Sequence, residues 1–342
     1  MIIAAATVKD TRENVEKFVA RNLRGGIDHV VIFLDAPMPD VEDLLEIHPD
    51  VTAVRAHGDW WAGNRPDDLN ERQVCNHGLV SRAVAGFSWA EWMFVLDGDE
   101  VARIDRAALD GLDPAARAVQ LLPLEAVGRM EAPDDPTWFK RRPTPDELVL
   151  LMLLGAIPEA KMRAYFRGHA SGKPGLRPAK GYALGVHHVV DTSTGERLRG
   201  RTDAGLTMLH YESHDGREFV RKWRALLGSG SDNIRQGGRR ASLARSISTV
   251  LDLPLPESET TALLEELYRR SSVDDVETLS RLGLLVEADP DSWERVPVRD
   301  ERGVRQLRTM LDRAHDVPKQ PFNPHSLDRR AGKAVARLQR RL

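Results

Sequence analysis

A chain of 342 residues, 41% hydrophobic and 30% charged, carries enough apolar surface for a sizeable core and too much of it for wholesale disorder. Its net charge of −3 exerts no global pull on nucleic acid or anionic lipid, so no nucleic-acid partner is expected. The single cysteine, Cys75, excludes an internal disulfide framework and fits a reducing compartment.

The opening MIIAAATVKD has an apolar run without a basic leader, and residues 2–8 read as a first strand rather than a signal peptide. The longest apolar stretch, residues 148–157, is too short to cross a bilayer, so a cytoplasmic protein is expected. Val15, Phe18, Val19 and Leu23 share one face of a helix predicted over Asn14–Arg24, which Gly25-Gly26 stops. DHVVIFLD (28–35) reads as an apolar strand ending on Asp35. PMPD opens a short helix, 51–56 a third strand, and 69–85 a helix with Val74, Leu79 and Val80 inward. The strand WMFVLDGDE follows. Alternating strands and helices with near-continuous apolar runs predict an α/β fold: a mostly parallel sheet with helices on both faces. Ligands of such sheets bind at the carboxyl ends of the strands, where Thr7, Asp35, Asp97 and Asp99 fall.

Further strands are predicted at 118–127, 181–191 and 204–213. Residues 131–147, with four prolines, read as a loop or flap. From 216 onward the pattern is mainly helical, with a Gly/Ser-rich break at 228–238. The expected organisation is a catalytic domain over 1–215 and a helical region over 216–342.

The stretch Met93-Phe94-Val95-Leu96 leads directly into Asp97, Asp99 and Glu100. On an extended backbone Asp97 and Asp99 point the same way, and two such carboxylates repel unless a cation neutralises them. An oxygen-rich site of this kind suits Mg²⁺ or Mn²⁺. An EF-hand is excluded because no D-x-D-x-D-G loop with a distal Glu follows. The competing reading is a polar strand-end turn in which Gly98 supplies an unusual dihedral. RGHASGKPG does not make a P-loop: only three residues separate Gly168 from Gly172, and Pro174 follows the lysine.

Together VVIFLD, NERQVCNHGLVSRAVAGFSWAEWMFVLDGDEV and LHYESHDGREFVRKW resemble family-2-type glycosyltransferases of the GT-A (Rossmann-like) fold, in the branch with a W-x-x-x-x-D-x-D-E central motif. The resemblance covers residues 1–223. It implies a nucleotide-sugar donor, a UDP-sugar first, and a divalent metal, Mn²⁺ or Mg²⁺, held by Asp97 and Asp99 against the diphosphate. Thr7 and Asp35 would face base and ribose, and Arg72, in R-Q-x-x-N, would fork onto phosphate oxygens. Lys173, Arg177 and His187, from G-K-x-x-x-R…G-x-H, would gather near the diphosphate, with His187 or His210 as a third metal ligand.

An inverting reaction needs a carboxylate base, for which Glu125, Asp191 and Glu212 are candidates beside the catalytic Asp99. A retaining one needs none. The acceptor is a glycan, a lipid-linked molecule or a small molecule. The basic tail RRAGKAVARLQRRL, with Val335 and Leu338 on one face, offers a weak contact with the inner membrane surface, but that face is thin and a solvated terminal helix is the favoured reading.

Plainer roles compete for several of these residues: Asp35 as a turn cap, Arg72 as a surface arginine, Trp60-Trp61 as packing, a lone histidine as a structural residue. The missing E-D and Q-x-x-R-W elements argue against a polysaccharide synthase. Two other function classes stand beside the transferase. A nucleotidyltransferase would carry a Gly-rich loop after the first strand, where this chain reads ATVKDTREN. A non-catalytic GT-A-like nucleotide-binding or scaffold module would be expected to lose the carboxylate pair.

Overall fold

The structure, a computed structural model, describes residues 1–133, 135–212, 214–228, 238–325, 330–340 and 342. The expected Gly/Ser break at 228–238 lies, apart from its two ends, outside the described residues.

β1 (Ile2–Val8) is buried at every position, as a strand covered on both faces must be. α1 (Arg12–Arg24) starts where Thr11 caps the Asn14 N–H and turns Val15, Phe18, Val19 and Leu23 inward, as their spacing predicted. β2 (His29–Leu34), α2 (Pro39–Glu46), β3 (Val51–Arg55), α3 (Leu69–Ala83) and β4 (Trp92–Val95) complete the first half. β5 (Glu100–Ile104), α4 (Arg106–Asp110) and β6 (Ala118–Ala126) follow.

Residues 131–147, expected as a loop, contain β7 (Trp138–Lys140), paired to β6, and the start of α5 (Pro145–Leu153). The proline signal misled there. Pro145 stands at the first turn of a helix, where its missing N–H costs nothing, behind a capping box of Thr144 and Glu147.

α6 (Met162–Tyr165) and β8 (Lys173–Leu176) come next. The single strand expected over 181–191 is instead two antiparallel strands, β9 (Tyr182–Leu184) and β10 (Val189–Asp191), so His187 and His188 sit in the turn between them. β11 (Arg197–Leu198), β12 (Leu206–His210), α7 (Gly216–Gly228), α8 (Gly238–Leu251), α9 (Glu257–Ser271), α10 (Val276–Arg281), β13 (Leu285–Glu287), α11 (Glu301–Ala314) and α12 (Arg330–Leu338) finish the chain.

The expected α/β architecture is present. Its parallel heart is β3-β2-β1-β4. β8 continues the sheet antiparallel to both β4 and β6; β12 runs parallel to β6 and carries β5. β13 extends the edge beyond β7, so the C-terminal region adds a strand to the main sheet.

Alternate residues of the parallel strands feed two cores. Ile3, Ala5, Val31 and Phe33 pack with α3, α11 and α12, while Ile2, Ala4, Val30 and Ile32 pack with α1 and α2. Trp60 and Trp61 are both fully buried in the first of these, which settles them as packing residues. Leu338 and Ala331 of α12 are also buried there, with Val335 against them. The apolar face of the basic tail is therefore turned to the protein core and not to a bilayer. Among the described residues no helix is long and apolar enough to cross a membrane.

Candidate active site

The sheet brings the carboxyl ends of β1, β2 and β4 together with the loop before β8 and the end of β12. The decisive local feature is the turn after β4. Glu100 folds back so that its Oε2 accepts the Asp97 N–H at 2.7 Å, and the Glu100 N–H reaches Asp97 O at 3.1 Å. The backbone is not extended through Asp97-Gly98-Asp99, so the expectation of two parallel carboxylates gives way to two separate neighbourhoods.

Asp97 Oδ2 accepts from Lys173 Nζ at 2.7 Å and Oδ1 from Gln73 Nε2 at 2.9 Å. Burial alone would push the Asp97 carboxyl up, but the Lys173 ammonium holds it far below the usual carboxylate range. Lys173 is itself buried, 3.5 Å from Glu100 Oε2, and the two carboxylates raise its pKa against the opposing effect of burial.

Asp99 belongs to the second neighbourhood. Its Oδ2 accepts from Lys222 Nζ at 2.6 Å, and the same ammonium lies 2.9 Å from Glu212 Oε2. His210 Nε2 stands 3.7 Å from the Asp99 oxygen and 3.6 Å from that of Glu212. Burial opposes ionisation of Asp99, but Lys222 and His210 lower its pKa overall.

Three histidines line the space between these groups. His169, not singled out from the sequence, bonds Glu100 Oε1 through Nε2 at 2.9 Å, with its ring 4.3 Å from that of His187 and 5.2 Å from that of His210. His187 reaches Gly172 O at 3.2 Å, and burial followed by the Lys173 charge pushes its pKa down to about 3, so the ring is neutral. The His169 loop is held close by Gly168: a Cβ there would fall 2.1 Å from His210 Cε1.

On the other side of the strand ends, Thr7 Oγ1 accepts from Asn76 Nδ2 at 3.2 Å, and Asn76 Oδ1 from Trp60 Nε1 at 3.0 Å. Asp35 is gripped by both arms of Arg72, each at 2.8 Å, and by Arg65 at 3.1 Å. Arg72 also donates to Pro66 O and Asp67 O. It is a buried strut for Asp35, neither the expected phosphate fork nor a surface residue.

The remaining candidates divide by topology. Glu125 is buried and saturated by Lys140 Nζ at 3.0 Å and the N–H groups of Arg167 and Gly168 at 2.8 and 2.7 Å. That bonding holds the loop that carries His169. Asp191 caps its own turn through Ser193 and Thr194, apart from the cluster. Arg177 lies over Trp92, at the opposite end of β4 from Asp97, because β8 runs antiparallel to β4.

Carboxylate and imidazole donors such as these suit a divalent cation. Asp99, His210 and Glu212 offer ligand atoms all within 4.8 Å of one another, as do Glu100, His169 and His210. The first group fits the better, since Asp99 lines an open cleft whereas Glu100 is fully buried and held by the Asp97 N–H and His169. Asp97 and His187 belong to neither group. A cleft of about 460 Å³ opens beside Asp99, lined among others by Asn14, Phe18, Tyr211, Asp215 and Lys222.

No family model and no curated protein matches this chain. Among solved structures, a mannose-1-phosphate geranyltransferase from Thermus thermophilus shares 13% identity with it over 52% of this chain and 57% of that one, with a TM-score of 0.25. HddC from Yersinia pseudotuberculosis shares 10% identity over 64% of this chain and 96% of that one, with a TM-score of 0.30. Both scores fall below one-half, so the architecture rests on the strand order given above.

Proposed function

We propose that this chain is a metal-dependent glycosyltransferase of the family-2, GT-A type, taking a sugar from a nucleoside-diphosphate donor, a UDP-sugar first, to a hydroxyl of the acceptor. The observation that carries the reading is the Asp99–His210–Glu212 group at the carboxyl ends of an α/β sheet. A divalent cation there, Mn²⁺ or Mg²⁺, would supply Lewis-acid stabilisation to the departing diphosphate.

The chain's own residues set the rest of the site. Lys173 fixes Asp97 and the turn that aims Asp99. Arg72 holds Asp35 at the base and ribose end beside Thr7. Of the three carboxylates expected as a base, Glu212 is itself a member of the Asp99 group, Glu125 comes to 4.0 Å from His210 Nδ1, and Asp191 caps its own turn.

The test is a thermal-shift panel of nucleoside diphosphates and their sugars, with and without Mn²⁺, on the wild type and Asp99→Asn. A ligand that binds only the folded state raises the melting temperature by mass action. A shift that requires Mn²⁺ and vanishes in Asp99→Asn supports the reading. Release of pyrophosphate from a nucleoside triphosphate and a sugar phosphate would replace it with nucleotidyl transfer. Metal-dependent binding without turnover of any donor would replace it with a non-catalytic binding module.

A further inference from the structure

The group at Asp99 already faces a cation, and that cation belongs to the protein. Lys222, carried on α7, places its ammonium 2.6 Å from Asp99 Oδ2 and 2.9 Å from Glu212 Oε2, beside His210 Nε2. Ligand bonds of about 2.1 Å to an ion such as Mg²⁺ put neighbouring ligand atoms roughly 3 Å apart. The 3.6 and 3.7 Å that separate His210 Nε2 from the two carboxylate oxygens are near that spacing. The ammonium therefore engages the same two oxygens that an ion on these three atoms would use. An ammonium and a divalent ion held on the same two oxygens repel each other at close range.

We infer that Lys222 is the alternate occupant of the metal site: its ammonium neutralises Asp99 and Glu212 when no metal is bound, and an incoming divalent cation displaces it. This rests on the metal-dependent reading above. The exchange is favourable in charge, since two carboxylates carry −2, which one ammonium halves and one divalent ion cancels. It is also feasible in space. The lysine stem is flexible, its side chain is 26% exposed, and Lys222 and Asp99 line the same cleft. The ammonium moves into that cleft by rotation about its own side-chain bonds, with α7 staying in place. From there it faces whatever anion the bound metal holds.

The experiment is a titration of the full chain with Mn²⁺, following the free ion by electron paramagnetic resonance, for the wild type, Lys222→Gln, Asp99→Asn and the double variant. Lys222→Gln is expected to bind Mn²⁺ at least about tenfold more tightly, the size of an ordinary coupling between mutually exclusive occupants. Asp99→Asn is expected to lose the ion in either background.

A second readout needs no variant. Reductive methylation of the wild type, resolved by mass spectrometry, should modify Lys222 faster with saturating Mn²⁺ than with EDTA, while Lys161, paired to Glu159 and outside the lining of that cleft, keeps its rate. If Lys222→Gln binds Mn²⁺ no more tightly than the wild type while Asp99→Asn abolishes binding, the exchange is overturned and the metal site stands. If neither the wild type nor Lys222→Gln binds Mn²⁺, both fall. A Lys222 methylation rate indifferent to Mn²⁺ also overturns the exchange.

Discussion

Lys173→Met asks how much the Asp97 pairing contributes. Lys173 is 1% exposed and faces Asp97 at 2.7 Å and the fully buried Glu100 at 3.5 Å. Breaking a buried ion pair costs about 3–5 kcal/mol because the partner is left charged and unpaired. Asp97 keeps 31% exposure and its Gln73 bond, and Glu100 keeps the Asp97 N–H and His169, so the low end, about 3 kcal/mol, is expected. Unfolding entropy of roughly 2.1 cal/mol/K per residue turns that into a fall of about 4 °C in melting temperature for a chain of this length. The pH dependence has a definite sign. With Lys173 present the Asp97 pKa lies below its unfolded value, so the pairing stabilises fully above that unfolded value and fades only in strong acid. Without Lys173 burial is left to raise the Asp97 pKa, so Asp97 takes up its proton at higher pH and the variant's deficit shrinks as pH falls toward 5. Differential scanning fluorimetry at pH 7.5 and pH 5 reads both effects. A gap below about 1 °C at pH 7.5, or one that does not narrow at pH 5, refutes the reasoning.

Lys140→Met should be worse than Lys173→Met, because Lys140 is fully buried and bridges Glu125 and Asp274 at 3.0 and 2.9 Å; a melting temperature closer to wild type than that of Lys173→Met would contradict this. His29→Gln should flatten the acid limb of stability. Burial lowers the His29 pKa to about 4, so the folded state binds fewer protons than the unfolded one between about 6.5 and 4, and stability is lost as pH falls through that window, by up to roughly 3 kcal/mol from this residue. Urea melts at pH 7 and pH 5 should differ less in the variant, and equal differences would dismiss the assignment. Gly168→Ala should weaken Mn²⁺ binding about tenfold or more, since its Cβ must push the His210 ring aside, while the far-ultraviolet circular dichroism stays that of the wild type; unchanged Mn²⁺ binding would show that the ring accommodates the methyl group.

What could be read from the sequence was whatever has a short period. The apolar runs of β1, β2 and β4 and the Val15–Phe18–Val19–Leu23 face of α1 are local patterns, and their alternation carries the site to the strand ends. The chemistry at those ends is not local. Lys222 reaches Asp99 across 123 positions and Lys173 reaches Asp97 across 76, and no periodicity announces either meeting. The period-two argument for Asp97 and Asp99 failed because a side chain, Glu100, bends the backbone that the argument assumed to be straight. His169 was missed because a glycine-rich loop has no face to read. The sorting of Lys173 from Arg177 follows from one topological fact, the insertion of β8 antiparallel between β4 and β6. Four residues along a strand cover about 13 Å, so a strand that delivers Lys173 to the carboxyl end of β4 must carry Arg177 back to the other end. The motif that grouped them listed residue types in order, and order along a strand is distance.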